Sequence, residues 1–265
     1  QTTVKNYLET FSSETAFDIS FDRINDFFFD SLMMYSYQTK EIKQNYFAKI
    51  IKVLKSFLSW TTEKGYNTNR EFEKFKAPEH DIDIVFLTFE ELMILYEKEF
   101  ETERLSHVRD FYCMGCFTGL RFSDLEKLHL ANISEDHIVL SIQKTKTQNH
   151  AIKLNKYAKA ILEKYKGTIY EPLPRISSQR FNEYIKECCE IAEINQPLTI
   201  HWFVGNKKKT LTQPKYKFIT SHTARKTFIT NSLLLGMEPK AIKKIANIKK
   251  DAVLDKYMKV TEAFT

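Results

Sequence analysis

Four side chains spread from near the middle of the sequence to its end can act together on an ester of phosphoric acid. Arg121 lies in Thr118-Gly119-Leu120-Arg121-Phe122-Ser123-Asp124, and His222 and Arg225 lie in the run Ser221 to Phe228. Tyr257 follows in Leu254-Asp255-Lys256-Tyr257. Two arginines suit an anion with several oxygens, because each guanidinium presents a planar fork of donors. A histidine exchanges a proton near neutral pH, and a tyrosine hydroxyl can attack as a covalent nucleophile. These types together describe covalent chemistry on a phosphodiester. A lone His-x-x-Arg is more often a surface ion-pair face, so it is the ordered set that carries weight.

These residues need elements to hold them. His222 and Arg225 are three apart, so a helix presents both from one face, and Ser221 is placed to cap it with the pair on the first turn. That is a favourable position for phosphate, since free amides and the helix dipole also favour an anion. Helices are expected from about Thr223 to Leu235, Pro239 to Ile245 and Ala252 to Lys259, the last carrying Tyr257. Upstream, an apolar helix through Val108, Phe111 and Tyr112 should stop near Gly119, and Thr88/Glu91 reads as a capping box. Ser123/Glu126 reads as a second box, leaving Arg121 on the turn before a short helix. Ile138–Ile142 and Ala151–Leu154 flank the polar run Lys144 to Asn149, which predicts a β-hairpin with a basic tip. Phe181, Tyr184, Ile185, Cys188 and Ile191 return to helical spacing.

The first part of the chain is helical in pattern. Phe47, Ile50, Ile51, Leu54, Phe57 and Leu58 recur at three- and four-residue spacing, with Gly65 as a stop. Lys49, Lys52 and Lys55 mark another face, either solvated or tracking nucleic-acid phosphates. The polar, proline-bearing run from Ala77 to Asp81 breaks the pattern. The organisation expected is residues 1–77 as a helical domain, 78–87 as a linker and 88–265 as the domain carrying the chemistry.

Composition agrees with a folded chain of two domains: 265 residues, 43% hydrophobic and 14% aromatic. The formal charge of +6 matters where it concentrates. Between Gly205 and Lys226 there are seven basic residues and no acid, including Lys207, Lys208, Lys209 and Lys226. Such a cluster fits a polyanion, although a charge run is more often a solvated face. Cys113-x-x-Cys116 lacks a second pair at zinc-type spacing, and Cys188 and Cys189 are adjacent, so the four read as buried thiols in a reducing compartment. No apolar run reaches membrane-spanning length and no signal peptide is evident, which points to a cytoplasmic protein with no membrane partner. The chain opens on Gln1 rather than Met, which reads as a piece of a longer protein.

On these motifs the chain resembles the tyrosine recombinases, the integrases of phages and mobile elements. The resemblance spans nearly everything from residue 1 to 260. It rests on Thr-Gly-Leu-Arg121-x-Ser-Asp124, a lysine on a β-hairpin, His222-x-x-Arg225, and Tyr257 some thirty residues on. It implies a mainly α fold with a small β-hairpin or sheet. A helical, SAM-like core-binding domain would clasp DNA, an α-rich catalytic domain would follow, and an arm-binding domain would precede Gln1. The implied activity is cutting and rejoining of DNA through a 3′-phosphotyrosine. Arg121 and Arg225 would hold the scissile phosphate, and Tyr257 would attack phosphorus. Lys144, with Lys146 as the alternative, would protonate the leaving oxygen, His222 would move a proton, and Asp124 would brace the site. Lys49, Lys52, Lys55, Lys146, Lys207, Lys208, Lys209 and Lys226 would meet DNA. No metal or cofactor is required, because arginines supply the positive charge. The implied partners are double-stranded DNA, three further copies in a tetramer on synapsed sites, and an accessory DNA-bending protein, in a bacterial cytoplasm. One departure stands out. The family places a histidine or tryptophan about nine residues before the tyrosine, where this chain has Ile248, and Asn247 could donate in its place only if the loop is shifted by one. That departure leaves a weakened or silent DNA-binding relative as one alternative; a type IB topoisomerase is the other.

Overall fold

The computed structural model describes residues 2–142 and 144–262, which fall into two compact units. One comprises Gln1–Asp83 together with Thr199–Thr212, and the other comprises Ile84–Leu198 and Gln213–Thr265.

The first unit is built on three helices, α1 (Thr2–Thr15), α2 (Asp26–Met34) and α3 (Gln44–Glu63). Asn25 caps α2 by accepting from the Phe28 amide at 3.1 Å, and α3 ends just before Gly65, whose φ of +75° only glycine adopts readily. The periodic residues of α3 behave as their spacing predicts: Phe47, Ile50, Ile51, Leu54 and Leu58 are buried. They pack with Phe11, Phe17, Phe28, Tyr35, Phe72 and Phe75 in a core rich in aromatic rings. Phe57 departs from the series. It sits at the edge of the apolar stripe, half exposed, and stacks on Trp60 with centroids 6.2 Å apart. Residues 78–80 are tied to α3: Gln44 donates to the Pro78 carbonyl, and Asn45 exchanges two hydrogen bonds with the backbone of His80.

The basic stretch after Gly205 forms a two-stranded ribbon, where the charge run alone gave no strand. Strands β4 (Pro197–Val204) and β5 (Lys207–Pro214) pair across Gly205 and Asn206. Its central part belongs to the first unit. Phe203 stacks on His80 at 4.3 Å, Lys43 lies over the Trp202 ring at 4.9 Å, and the His201 amide donates to Asp83.

The second unit is organised around α5 (Glu103–Thr118), buried on nearly all sides and packed by α4 (Phe89–Glu97), α7 (Lys156–Tyr165), α8 (Ser178–Ile191) and α9 (Ser221–Leu234). The Thr88/Glu91 box forms as expected, with each residue's side chain accepting from the other's amide. The Ser123/Glu126 box does not. The short helix α6 (Phe122–Leu125) starts one position before its proposed cap, because the Asp124 amide already donates to the Arg121 carbonyl at 2.9 Å. A three-stranded antiparallel sheet, β1 (Asn132–Ile133), β2 (His137–Ile142) and β3 (Thr147–Lys153), forms the expected hairpin. Its tip is shorter than the polar run implied. Ile142 pairs with Thr147, so Thr147 to Asn149 lie in β3, and a register shift between Leu140 and Ile142 accommodates Asn149 at φ +51°. Two helices close the chain, α10 (Pro239–Ile245) and α11 (Asp251–Thr261). Phe228, Ile229, Ile242, Ile248, Leu254 and Tyr257 form a small core that includes α9, α10 and α11. Among the described residues no helix is long and apolar enough to cross a membrane.

Candidate active site

Everything named for the chemistry lies in the second unit. Helix α5 stops at Gly119, whose φ of +70° turns the chain and delivers Arg121 as the N-cap of α6. No residue with a Cβ fits there, since that atom would lie 2.6 Å from the Phe228 ring of α9. This close approach brings α9 to the Arg121 turn, and Arg225 of α9 donates to the Gly119 carbonyl at 2.7 Å. The two arginines are thereby fixed to one turn of backbone.

Their electrostatics are unfavourable in the free protein. Burial first, then the charge of Arg121, pulls the Arg225 guanidinium down to about 10. Arg121 is one-fifth exposed, and its Nη1 is buried without a hydrogen-bond partner. Asp124 lies 3.8 Å away, an ion-pair distance too long for a hydrogen bond, and its Oδ2 is likewise unsatisfied. Burial raises the Asp124 pKa, and the two arginines oppose that rise. A buried guanidinium nitrogen with no acceptor is the condition that an oxyanion relieves.

Helix α9 starts one residue earlier than expected. Thr220 is its N-cap, and the amide of Ser221, its first residue, donates to Asn182 at 2.8 Å. His222 and Arg225 remain on the first turns. His222 is exposed, yet surrounding protein atoms lower its pKa, and Lys226, Arg225, Lys144 and Arg121 lower it further. Among the charges that act on His222, Lys144 is present and Lys146 is not. Lys146 holds a left-handed backbone at φ +51° and is exposed. Tyr257 is buried, which raises its hydroxyl pKa, while Arg225 pulls it back. The structure thus brings Arg121, Asp124, Lys144, His222, Arg225 and Tyr257 into one electrostatic neighbourhood.

The loop before Tyr257 has a different role from the one its position suggests. The amides of Asn247 and Ile248 donate to the carbonyls of Lys244 and Lys243, closing a Schellman cap on α10 with Asn247 at φ +46°. Ile248 is the apolar residue such a cap requires, and it packs with Ile242, Leu254 and Tyr257. The Asn247 side-chain amide is not free for a phosphate: it donates to Thr145 at 2.6 Å and Thr147 at 3.1 Å. His150 was not singled out by the sequence. It is buried on β3, and its Nε2 donates to the Ile245 carbonyl at 2.8 Å. Its signal was a polar residue on the inward phase of a strand, facing Leu140 across the ladder.

The basic residues divide. Lys49, Lys52, Lys207, Lys208 and Lys209 are exposed in the first unit. Lys55 is committed to structure, its ammonium donating to the carbonyls of Glu73 and Phe75 at 2.7 and 3.1 Å. Lys226, half-buried beside His222, has its pKa lowered by burial. The four cysteines are free and buried. No cluster of three or more histidine, cysteine or acidic side chains that could hold a metal occurs among the described residues.

No protein-family model and no curated protein sequence matches the chain. Solved structures do. A λ integrase dimer (75–356) bound to a COC′ core site is similar with TM-score 0.67 and 16% identity, over 97% of this chain and 88% of that one. The Tn1549 transposon integrase (82–397) in complex with circular intermediate DNA is similar with TM-score 0.63 and 15% identity, over 96% and 87%. XerH recombinase bound to its difH substrate is similar with TM-score 0.57 and 12% identity, over 97% and 75%. The chain therefore has the fold of the tyrosine recombinases.

Proposed function

We propose that this protein is a tyrosine recombinase of the integrase type, cutting and rejoining DNA through a covalent 3′-phosphotyrosine. The observation that carries the reading is the paired guanidinium site, with a buried Arg121 donor lacking an acceptor, next to Tyr257 and His222. The fold and the DNA complexes of the similar proteins support it.

Arg121 and Arg225 hold the non-bridging oxygens of the scissile phosphate, with Asp124 bracing both. The Tyr257 oxygen forms a bond to phosphorus, and its proton passes to His222, whose pKa is lowered by burial and then by the surrounding cations. The bond from phosphorus to the 5′ oxygen breaks, and the electron pair leaves on that oxygen. Lys144 supplies the proton that makes it a 5′ hydroxyl. The reverse steps, with a 5′ hydroxyl from a second duplex, rejoin the strand and restore each proton. The rest of the reading is a tetramer on paired sites of a mobile element, with Lys49, Lys52 and Lys207 to Lys209 on the DNA backbone.

The test uses nicked duplexes carrying a site selected by binding from a randomised pool. The wild-type protein should trap a covalent adduct, and Tyr257→Phe should bind equally well and trap none. An adduct formed by Tyr257→Phe places the nucleophile elsewhere. Binding without any wild-type adduct identifies a silent DNA-binding relative.

A further inference from the structure

The Asn247 side chain reaches a hundred residues back along the chain. A Schellman cap needs a left-handed residue at its position, and glycine would serve. It does not need a carboxamide. Yet that carboxamide donates to Thr145 at 2.6 Å and Thr147 at 3.1 Å, and the two threonine hydroxyls lie 2.9 Å from each other. Thr145 lies in the tip of the β2–β3 hairpin, immediately after Lys144, and Thr147 is the first residue of β3. A second tie runs in parallel, from His150 of β3 to the Ile245 carbonyl at the end of α10. Asn247 and His150 are both buried, so both ties are shielded from competing water.

From this geometry we infer that Asn247, with Thr145, is a positioning latch that fastens the hairpin tip carrying Lys144 to the segment that leads into the Tyr257 helix. A hairpin tip is by itself a mobile place for a group that must meet one oxygen atom. The latch removes that freedom. It fixes the proton donor with respect to the same turn from which α11 and its nucleophile depart. The polar residue just before the position of the family's usual phosphate donor therefore acts through Lys144 and does not touch the phosphate.

The inference rests on the proposed reaction, and a leaving-group substitution separates the two. In a duplex with sulfur in place of the bridging 5′ oxygen, the leaving thiolate needs no proton, so a defect in proton donation disappears while a defect at phosphorus persists. Single-turnover cleavage of the oxygen and sulfur duplexes is measured for wild type, Lys144→Ala, Asn247→Gly and Thr145→Val. Glycine keeps the left-handed backbone of residue 247, and Thr145→Val leaves the α10 cap untouched. On oxygen, Lys144→Ala should lose ~10²–10⁴-fold, and the two latch variants roughly 10–100-fold through misplacement. On sulfur all three should return to within a few-fold of wild type. A loss by Asn247→Gly or Thr145→Val that persists on sulfur overturns the latch, because the side chain then acts on the phosphate or the nucleophile. Wild-type rates on oxygen for both variants overturn it as well. If Asn247→Gly proves unfolded by circular dichroism, Thr145→Val decides alone. A wild-type protein that cleaves neither duplex refutes the reaction itself, a different result from either failure of the latch.

Discussion

Gly119→Ala tests whether the close approach of α9 to the Arg121 turn organises the site. The added Cβ would sit 2.6, 2.9 and 3.1 Å from Cδ1, Cε1 and Cγ of Phe228, a ring buried in the core that carries Tyr257. Two costs combine. Holding alanine at φ +70° costs about 1 kcal/mol, and moving a packed aromatic ring costs about 2 kcal/mol. The sum, roughly 3 kcal/mol, corresponds to a fall of about 6–12 °C in Tm for a unit of this size. Gly236→Ala separates the two contributions. Its φ is +80° and its Cβ would meet nothing within 4 Å, so it should lose only the backbone part, about 1 kcal/mol. The assay is urea unfolding of the three proteins followed by far-ultraviolet circular dichroism, because both tryptophans, Trp60 and Trp202, lie in the first unit. Because the Gly119 carbonyl is the acceptor for Arg225, the folded fraction of Gly119→Ala should also cleave on the order of 10²-fold more slowly. Equal destabilisation by the two substitutions would show that the Phe228 contact is slack, and the account of how the arginines are placed would fall with it.

Three further outcomes follow from side chains that the structure assigns. The acidic limb of the pH profile of single-turnover cleavage should lie below the ordinary histidine range and vanish in His222→Gln. The sign is set by the lowered pKa of His222: the neutral form persists until pH falls through that value, and a limb at or above the ordinary value would contradict it. Lys55→Ala should destabilise the first unit by about 1–3 kcal/mol, because two backbone carbonyls lose their donor. Lys49→Ala and Lys52→Ala should leave its stability unchanged and each reduce the salt dependence of DNA binding by ~1 in slope, so equal stability losses for the three would refute the division. The four thiols should resist alkylation until the protein unfolds. Burial pushes Cys188 up to about 12 and holds Cys113, Cys116 and Cys189 well above the ordinary thiol, so rapid labelling of the native protein at pH 8 would count against the packing of α5 on α8.

The sequence revealed those features whose physical cause is local. The stop at Gly119, the Thr88/Glu91 box, the buried face of α3 and the last three helices follow from periodicity, capping and left-handed glycine, and all are present. The β4–β5 ribbon was not legible. Lysines 207–209 hid it as a charge run, and its partners Tyr37, His80 and Asp83 lie more than a hundred residues away. The cap of α9 lies one residue earlier because Thr220 and Ser221 are both good caps, and the bonds from the Thr220 amide to Thr223 and from the Ser221 amide to Asn182 of α8 distinguish them. Spacing from Tyr257 puts Ile248 at the position of the expected donor, but spacing carries no information about the cap that α10 forms there. The Schellman cap places Ile248 in the small core with Ile242, while the Asn247 side chain one position earlier donates to Thr145 and Thr147.

The charge balance of the site bears on which state of the reaction it favours. In the proposed reaction the cations Arg121, Arg225, Lys144 and Lys226 face the carboxyl group of Asp124, which leaves the site with an excess of positive charge. A phosphodiester in the ground state carries −1, and the pentacoordinate arrangement reached by attack of a tyrosine oxygen carries −2. In the proposed reaction that excess stabilises the added negative charge of the transition state more than the singly charged substrate, which is the condition for acceleration rather than tight binding alone. The cost is visible in the free protein as mutual repulsion of the arginines and an unsatisfied Arg121 donor. Asp124 cannot relieve it fully, because at 3.8 Å it holds Arg121 without a hydrogen bond. A closer carboxylate would stabilise the unliganded fold, and it would do so by occupying the nitrogen that the phosphate oxygen needs.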